Sequence, residues 1–396
     1  MKFTRIQVVV TCPGRNYVIV KVETDQPGLY GWGDATLNGR ELAVASALTE
    51  HIAPLLIGRE PDRIEDLWQY LYKGAYWRGG PVLMTALAGI DLALWDIKGK
   101  RAGLPVYSLL GGRTREGAMA YTHCDGSDRY EVEENIRAAQ AKGFKAFRAQ
   151  VGIKRWQQFS SNDLADWDAT SPERWEPYAY LQELPDIIEH LRVTLGTEPL
   201  LVHDVHHRLN SIQAARLAKS LEPYELLFLE DPIHPEHVES LRLLRQHSTI
   251  PVGLGELLTN RWQFLPLLAD QLIDFVRCDI AHIGGITEAR KIAILAETYN
   301  AQVALHAAPD TAPIVHAANL HLDLAIPNFG AQEMCTFPEE AAEVFQTGIS
   351  VTDGYLNLTD APGLGVEVDQ AVAARYPYQT GYLPTMRRAD ASVHDW

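Results

Sequence analysis

The fold is decided by three short segments, which read PLLVHD at 199–204, LLFLE at 226–230 and PVGLGE at 251–256. Each is an apolar run of the kind that forms a buried strand, and each ends on a carboxylate: Asp204, Glu230 and Glu256. Each carboxylate lies 26 residues after the one before it, a distance that one strand, one helix and their loops can occupy. A parallel barrel gathers the carboxyl ends of its strands on one face. We therefore expect the three side chains to lie side by side.

Clustered carboxylates repel one another unless a cation neutralises them. An acidic residue at a strand end is often only the N-cap of the next helix. Three of them in equal register favour a metal site instead. Oxygen ligands suit a hard divalent ion, so the sequence predicts that Asp204, Glu230 and Glu256 bind Mg²⁺.

The rest of the chain divides around these segments. Residues 1–112 begin with a β-meander (4–10, 16–24 and 28–33) and continue with helical patterns at 39–57, 61–72 and 80–102. Residues 113–340 alternate short apolar strands with helices, which is typical of a (β/α) barrel. The strand candidates are 117–122, 145–149, 199–203, 226–229, 251–255, 273–277 and 302–305. Residues 151–176 are interpreted as an inserted loop over the barrel mouth. Residues 341–396 are expected to return to the first domain.

Composition excludes several classes of protein. The formal net charge is −16, whereas a nucleic-acid-binding protein needs a basic surface. An anionic substrate would therefore need a local cation to draw it in. No window reaches the roughly 18 apolar residues of a membrane helix. Four widely spaced cysteines fit neither a disulfide framework nor a zinc site. The sequence therefore predicts a soluble cytoplasmic protein that binds a small molecule.

Several strings resemble the enolase superfamily. HDVHHR around Asp204, FLEDPI around Glu230 and GLGELL around Glu256 look like its metal-binding strand ends. Within the superfamily, the mannonate dehydratase group is similar in four places: ATLNGREL at 35–42, LYKGAYWRGGP at 71–81, RAQ at 148–150 and the run from 376 to 396.

The resemblance implies an α+β capping domain over a (β/α)₇β barrel, with Mg²⁺ as cofactor. It implies a hydro-lyase acting on a six-carbon sugar acid such as D-mannonate or D-gluconate. In that chemistry the metal binds the substrate carboxylate, a base removes the α-proton to give an enediolate, and a general acid expels the 3-hydroxyl. Members of the group also tend to form homo-oligomers.

The resemblance makes His206 the general acid. It places Arg148 where the group uses an arginine together with a tyrosine about 12 residues later as the base. Here no tyrosine occurs between Val151 and Pro177, and Phe159 lies near the expected place. A phenyl ring cannot accept a proton, so Tyr178 or Tyr180 would have to fold back over the site. D-Mannonate turnover is therefore expected to be inefficient.

A second base is available in Asp279 and His306, which lie 27 residues apart at the ends of consecutive strands. In another branch of the superfamily such a pair is the base, with the aspartate orienting the imidazole. The alternative is that Asp279 only pairs with Arg277 or caps a helix.

The resemblance also implies a set of substrate-contacting residues, namely Asn38, His123, Glu256, Arg277, His306, Asp310 and Glu333. Asn38 belongs to the capping domain, so a loop from outside the barrel would complete the site. The terminal Trp396 either packs into the site or only anchors the chain end. His203 and His207 are expected to be polar surface residues.

Two other functions stay open. An epimerase of the same fold would use the Asp279–His306 pair, but Arg148 in place of a lysine base argues against it. A ligand-binding or regulatory homologue with weak turnover is suggested by the missing tyrosine, although His206 and His306 count against it. A fold alone does not decide between these functions.

Overall fold

A computed structural model describes residues 1–151, 175–381 and 386–395. Its N-terminal domain starts with an antiparallel sheet of β1 (Phe3–Thr11), β2 (Tyr17–Thr24) and β3 (Tyr30–Asp34), in that order. The helices that follow are α1 (Glu41–Ser46), a π-helical stretch (Ala47–Ile52), α2 (Ala53–Leu56), α3 (Ile64–Gly74), α4 (Pro81–Ala102) and α5 (Val106–Leu110). The predicted helix at 39–57 is thus one helical region interrupted by a π-helical turn.

Glycines bring this sheet into backbone contact with helix α4. A Cβ atom on Gly33 would lie 1.9 Å from the Gly89 carbonyl oxygen, and one on Gly31 would lie 2.1 Å from that of Ala93. Only a residue without a side chain allows so close an approach. The N-terminal domain is therefore a sheet packed directly on a long buried helix.

The second domain is a (β/α)₇β barrel, as predicted. Its strands are β4 (Ala118–Gly126), β5 (Ala146–Val151), β6 (Leu200–Asp204), β7 (Phe228–Glu230), β8 (Val252–Leu254), β9 (Phe275–Val276), β10 (Gln302–Val303) and β11 (Gln332–Met334). Its helices are α6 (Arg129–Ala141), α7 (Pro177–Leu195), α8 (Ser211–Leu221), α9 (Leu241–His247), α10 (Arg261–Ala269), α11 (Ile286–Thr298) and α12 (Pro313–Ala325), with 3₁₀ turns at Glu222–Tyr224 and Pro235–Ser240.

Strands β4 to β10 pair in parallel and in chain order. The eighth strand, β11, pairs with β4, and hydrogen bonds between Val303 and residues 328 and 330 complete the ring. This last strand was not among the strand candidates. It is only three residues long, and its sequence, QEM, has no apolar run to reveal it.

The barrel interior has an apolar layer below a polar one. Inward-facing side chains, among them Tyr121, Val202, Phe228 and Phe275, fill its centre. Two residues further along β6 and β7 the same inward face carries Asp204 and Glu230, which are paired in register. Because side chains alternate along a strand, the core residues fix which polar residues point into the barrel mouth.

The chain from residue 339 onward contacts three parts of the molecule. Its elements are α13 (Glu339–Val344), β12 (Phe345–Thr347), β13 (Ile349–Thr352), β14 (Tyr355–Leu358), β15 (Val366–Val368), α14 (Gln370–Ala373), β16 (Met386–Arg387) and β17 (Val393–His394). Strand β14 pairs with barrel strand β4. Residues 366–379 return to the first domain, where the Cys12 amide donates to the Tyr376 carbonyl at 2.8 Å. The β16–β17 hairpin contacts the barrel through Trp175 and His234.

Two predictions concern residues outside the described part of the chain, namely most of the inserted loop at 151–176, including Phe159, and the role of Trp396. Among the helices that are described, none combines the length and the apolar character needed to cross a membrane.

Candidate active site

A cavity of about 580 Å³ opens at the carboxyl ends of the barrel strands. Nine of the predicted site residues line it: Asn38, His123, Arg148, Asp204, His206, Glu256, His306, Asp310 and Glu333. The other three, Glu230, Arg277 and Asp279, are fully buried and contact the residues that line it. The structure therefore brings the predicted residues together in one region.

The carboxylates form two overlapping groups. Oxygens of Asp204, Glu230 and Asp231 lie within 4.8 Å of one another, and so do ligand atoms of His207, Asp231 and Glu256. Glu230 Oε2 and Asp231 Oδ2 are buried and have no hydrogen-bond partner within the described ranges of the chain. Buried charged oxygens without a partner are costly, so this cluster is suited to a hard divalent cation.

Arg277 neutralises part of this charge from below. Its Nε donates to Glu230 Oε1 at 2.7 Å, and its Nη2 donates to Glu333 Oε2 at 2.7 Å. Burial raises the pKa of Glu333, but Arg277, His123 and His306 together outweigh it and hold that pKa well below its usual range. For Glu230 burial prevails and the pKa is raised. Arg277 therefore organises two acidic residues and is not exposed to the cavity.

Arg148 is held between acidic residues. Its Nη1 lies 3.3 Å from Asp204 Oδ2 and 3.7 Å from Glu333 Oε1, and its Nη2 lies 3.1 Å from His123 Nδ1. Burial lowers the pKa of Arg148, but the surrounding carboxylates raise it above its ordinary value. A guanidinium in this setting keeps its proton and is a poor base.

Asp279 and His306 form a hydrogen-bonded pair. His306 Nδ1 lies 2.6 Å from Asp279 Oδ2, and its Nε2 lies 3.2 Å from Glu256 Oε2 at the cavity. Asp279 thus pairs with His306, whereas the Arg277 side chain is engaged by Glu230 and Glu333. Burial lowers the pKa of His306, but Glu256 and Asp279 raise it well above the usual range.

His206 reaches the same carboxylates from the other side. Its Nε2 lies 3.6 Å from Glu256 Oε1. Its backbone is left-handed, with a φ of 56°, and its amide donates to Asp204 Oδ1 at 2.7 Å. Burial lowers the pKa of the imidazole. A cavity-facing histidine beside a carboxylate cluster has the placement that a general acid needs.

The expectation that His203 and His207 are surface residues is wrong. Both are buried, with 2% and 4% exposure. His203 lies on the outer face of β6, where its Nδ1 donates to the Ala149 carbonyl at 2.7 Å. Tyr180 of the preceding helix α7 packs on His203, and sequence periodicity does not reveal this kind of burial.

Neither candidate tyrosine lines the cavity. The Tyr180 hydroxyl lies 2.5 Å from His203 Nε2, behind strand β6. Tyr178 is 70% exposed. Among the described residues, the alternative in which one of them folds over the site is therefore not supported.

The capping domain reaches the cavity through Asn38. Its Nδ2 lies 3.4 Å from Asp310 Oδ2, on the loop before α12. The Asp34 carboxylate accepts from the amide of Ala312 at 2.6 Å and so fixes the approach of the two domains. A loop from the first domain therefore completes the mouth of the barrel.

Asp231 and His207 belong to the site but were not predicted as site residues. Alternation along β7 would turn Asp231 away from Glu230. Its φ of 39° instead turns it into the cluster. The only feature of the sequence that could have indicated a role for Asp231 was its position directly after Glu230. Arg15 and Cys335 also line the cavity and carried no recognisable motif.

Comparison with known proteins agrees with this architecture. The profile of the family described as enolase C-terminal domain-like matches residues 131–372. That of the mandelate racemase / muconate lactonizing enzyme N-terminal domain matches residues 5–111.

The curated relatives match along their full length. A D-mannonate dehydratase from Sphingomonas sp. (strain SKA58) is 47% identical, with 100% of both chains covered. A D-galactonate dehydratase family member from Streptomyces bingchenggensis is 48% identical over 99% of this chain and 97% of its own. Among solved structures, an enolase from Pantoea ananatis with bound D-gluconate and Mg superposes with a TM-score of 0.93, at 43% identity and 100% coverage of both chains.

Proposed function

The chain belongs to the enolase superfamily, alongside the D-mannonate dehydratases and D-galactonate dehydratase family members, and from this premise we propose that it is a Mg²⁺-dependent dehydratase of a six-carbon sugar acid. The observation that carries the proposal is the joint placement of the strand-end carboxylates with His206 and the Asp279–His306 pair around one cavity. A cytoplasmic location and a homo-oligomeric state stay predictions.

The residues present fit the metal. Asp204, Glu230 and Glu256 would hold it, with Asp231 beside them, and the clustering of carboxylate oxygens from Asp204, Glu230 and Asp231 supports this. An all-oxygen set favours Mg²⁺. When bound, Mg²⁺ would neutralise these carboxylates and polarise the carboxylate of the substrate.

His306 and His206 each carry out one of the two proton transfers. The Asp279 carboxylate accepts from His306 Nδ1–H. Burial lowers the pKa of His306, but Glu256 and Asp279 raise it, so neutralisation of Glu256 by the bound cation would lower that pKa again and leave Nε2 to take the proton from C2 of the sugar acid. His206 donates a proton to the 3-hydroxyl, so that the C3–O bond breaks and water leaves. The resulting enol becomes a 2-keto-3-deoxy acid. Both imidazoles lie beside Glu256 and line the cavity, so a sugar acid bound there would lie within reach of both.

The choice of base favours D-gluconate over its C2 epimer, D-mannonate. Arg148 is paired with two carboxylates and Tyr180 is engaged by His203, so the described residues supply no arginine–tyrosine base. His306 would approach C2 from the face opposite to Arg148. The D-gluconate bound to the Pantoea ananatis enolase supports the same substrate class.

Epimerisation is less well supported. An epimerase needs a proton carrier on both faces of C2, and Arg148 on the second face is fixed as a cation. A binding protein without turnover would not need the hydrogen-bonded Asp279–His306 pair.

A panel of aldonates tests the proposal. The purified protein should convert D-gluconate or a related six-carbon acid to a 2-keto-3-deoxy acid with Mg²⁺, and EDTA should stop the reaction until Mg²⁺ is restored. Binding of aldonates without any product would instead favour a ligand-binding homologue. Inversion at C2 without loss of water would favour an epimerase.

A further inference from the structure

The turn after β6 is strained where it enters the site. His206 and His207 are consecutive residues with φ of 56° and 62°, and Asp231 on the neighbouring loop has a φ of 39°. The left-handed conformation is sterically unfavourable for an L-residue. Such strain persists only when the surrounding contacts overcome it.

The side chain of His207 makes those contacts. Its Nδ1 lies 3.0 Å from the Ile233 carbonyl, which can only accept, so this nitrogen carries a proton. Its Nε2 lies 3.6 Å from Asp231 Oδ2 and also 3.6 Å from Glu256 Oε1. The ring is almost completely buried, with 4% exposure.

The backbone of the same residue adds a fourth contact. The His207 amide donates to the Asp231 carbonyl at 2.7 Å, and the preceding Val205 amide donates to the Glu230 carbonyl at 3.0 Å. One residue of the β6 loop thus touches the loops after β7 and β8. These three strands carry Asp204, Glu230 and Glu256.

We propose that His207 is a positioning residue that sets the spacing of the three metal-binding strand ends and aims His206 into the cavity. His207 is not among the described residues that line the cavity. It acts through Asp231, Ile233 and Glu256 on one side and through the strained turn on the other. This inference rests on the proposed function, since it needs a metal site to position.

Two substitutions distinguish the contribution of the His207 side chain from that of its backbone conformation. His207→Gly suits the left-handed backbone and removes the ring, while His207→Asn tolerates the same backbone but is too short to reach Asp231, Ile233 and Glu256 together. If the turn needed only its backbone geometry, both variants would behave like the unaltered protein. His321→Asn is a matched control, because His321 is also fully buried but lies on α12, where its Nδ1 accepts from the Tyr107 amide at 3.1 Å.

The first measurement is the affinity for Mn²⁺, used in place of Mg²⁺ and monitored by electron paramagnetic resonance in the absence of substrate. The second is kcat and KM for the sugar acid. Removing a residue that orients metal ligands typically weakens metal affinity or activity by about 10–100-fold. We expect that loss in Mn²⁺ affinity for both His207 variants. At saturating metal we expect kcat to fall by a larger factor than KM rises, because His206 no longer points correctly into the cavity. The control His321→Asn should change neither Mn²⁺ affinity nor kcat.

Three results would overturn the inference and leave the proposed function standing. Mn²⁺ affinity and kcat of His207→Gly within twofold of the unaltered protein would show that the ring positions nothing. An equal loss in His321→Asn would indicate a general packing effect. Two Mn²⁺ ions per unaltered chain and one in His207→Gly would make His207 a metal ligand. An unaltered protein with no metal binding and no turnover would refute the proposed function itself, and the inference with it.

Discussion

Glu230 is the residue on which the proposed metal site depends most. Gln in its place keeps the shape and an oxygen for Arg277 but removes the charge that a cation needs. Glu230→Gln should therefore abolish Mg²⁺-dependent turnover while thermal unfolding changes little. A Mg²⁺ titration of activity checks this, with the exposed Glu239→Gln as control. An unchanged Mg²⁺ dependence would remove Glu230 from the ligands.

His206 is the proposed proton donor to the leaving hydroxyl. His206→Asn tolerates the left-handed backbone at φ 56° but has no titratable proton. Loss of general acid catalysis typically costs about 10²–10⁴ in rate, so kcat should fall at least 10²-fold. Steady-state kinetics measure this. Near-normal dehydration would assign the acid role to another residue, with His306 the next candidate.

At the level of single residues, the sequence predicted those site residues whose side chains follow the alternation of a β-strand. Asp204, Glu230 and Glu256 were found because apolar strands with equal spacing precede them. Asp231 and His207 were missed because their positive φ values break that alternation. Such a conformation is imposed by tertiary contacts that no local pattern records.

At the level of elements, the strand–helix alternation was visible in the sequence, since apolar periodicity marks both kinds of element. Strand β11 and the π-helical turn at Ala47–Ile52 were not, because neither has a periodicity of its own. The close contact between strand β3 and helix α4 in the first domain could not be predicted from the sequence either. It depends on the glycines of β3 packing against the backbone of α4, and only the structure shows which elements pack together.

Gly33 gives a sharp test of that contact. A methyl group there would lie 1.9 Å from the Gly89 carbonyl oxygen, so β3 and α4 would have to separate. Gly33→Ala should lower the free energy of unfolding by about 3 kcal/mol, as overpacked cores do. Gly74→Ala, at the end of α3 with open space around it, should be neutral or stabilising. Urea unfolding of both variants measures the difference, and equal stabilities would contradict the close packing.

At the level of the whole molecule, the two domains are joined by buried polar contacts. The Asp91 carboxylate on α4 accepts from the amide of Thr287 on α11 at 3.0 Å and from the Thr287 hydroxyl at 2.5 Å. Burial raises the pKa of Asp91 to about 7. The folded protein therefore binds this proton more tightly than the unfolded chain, whose aspartates titrate near pH 3.9.

The sign of the pH effect follows from linkage. The stabilisation from protonated Asp91 is fully present below about pH 4 and is lost as the pH rises through about 7, with a total on the order of 4 kcal/mol at most. Asp91→Asn does not titrate. The difference in free energy of unfolding between the unaltered protein and Asp91→Asn should thus be larger at pH 5 than at pH 8. Urea unfolding checks this, with the exposed Asp66→Asn as control, and a gap that does not change with pH would refute it.

His306, oriented by Asp279, is the proposed base of a Mg²⁺-dependent sugar-acid dehydratase. The most direct measurement is kcat/KM for D-gluconate and D-mannonate, in the unaltered protein and in His306→Asn and Tyr180→Phe. We expect D-gluconate to be the better substrate, with its turnover reduced by about 10² or more in His306→Asn and retained in Tyr180→Phe. Efficient D-mannonate turnover that survives His306→Asn would contradict the account.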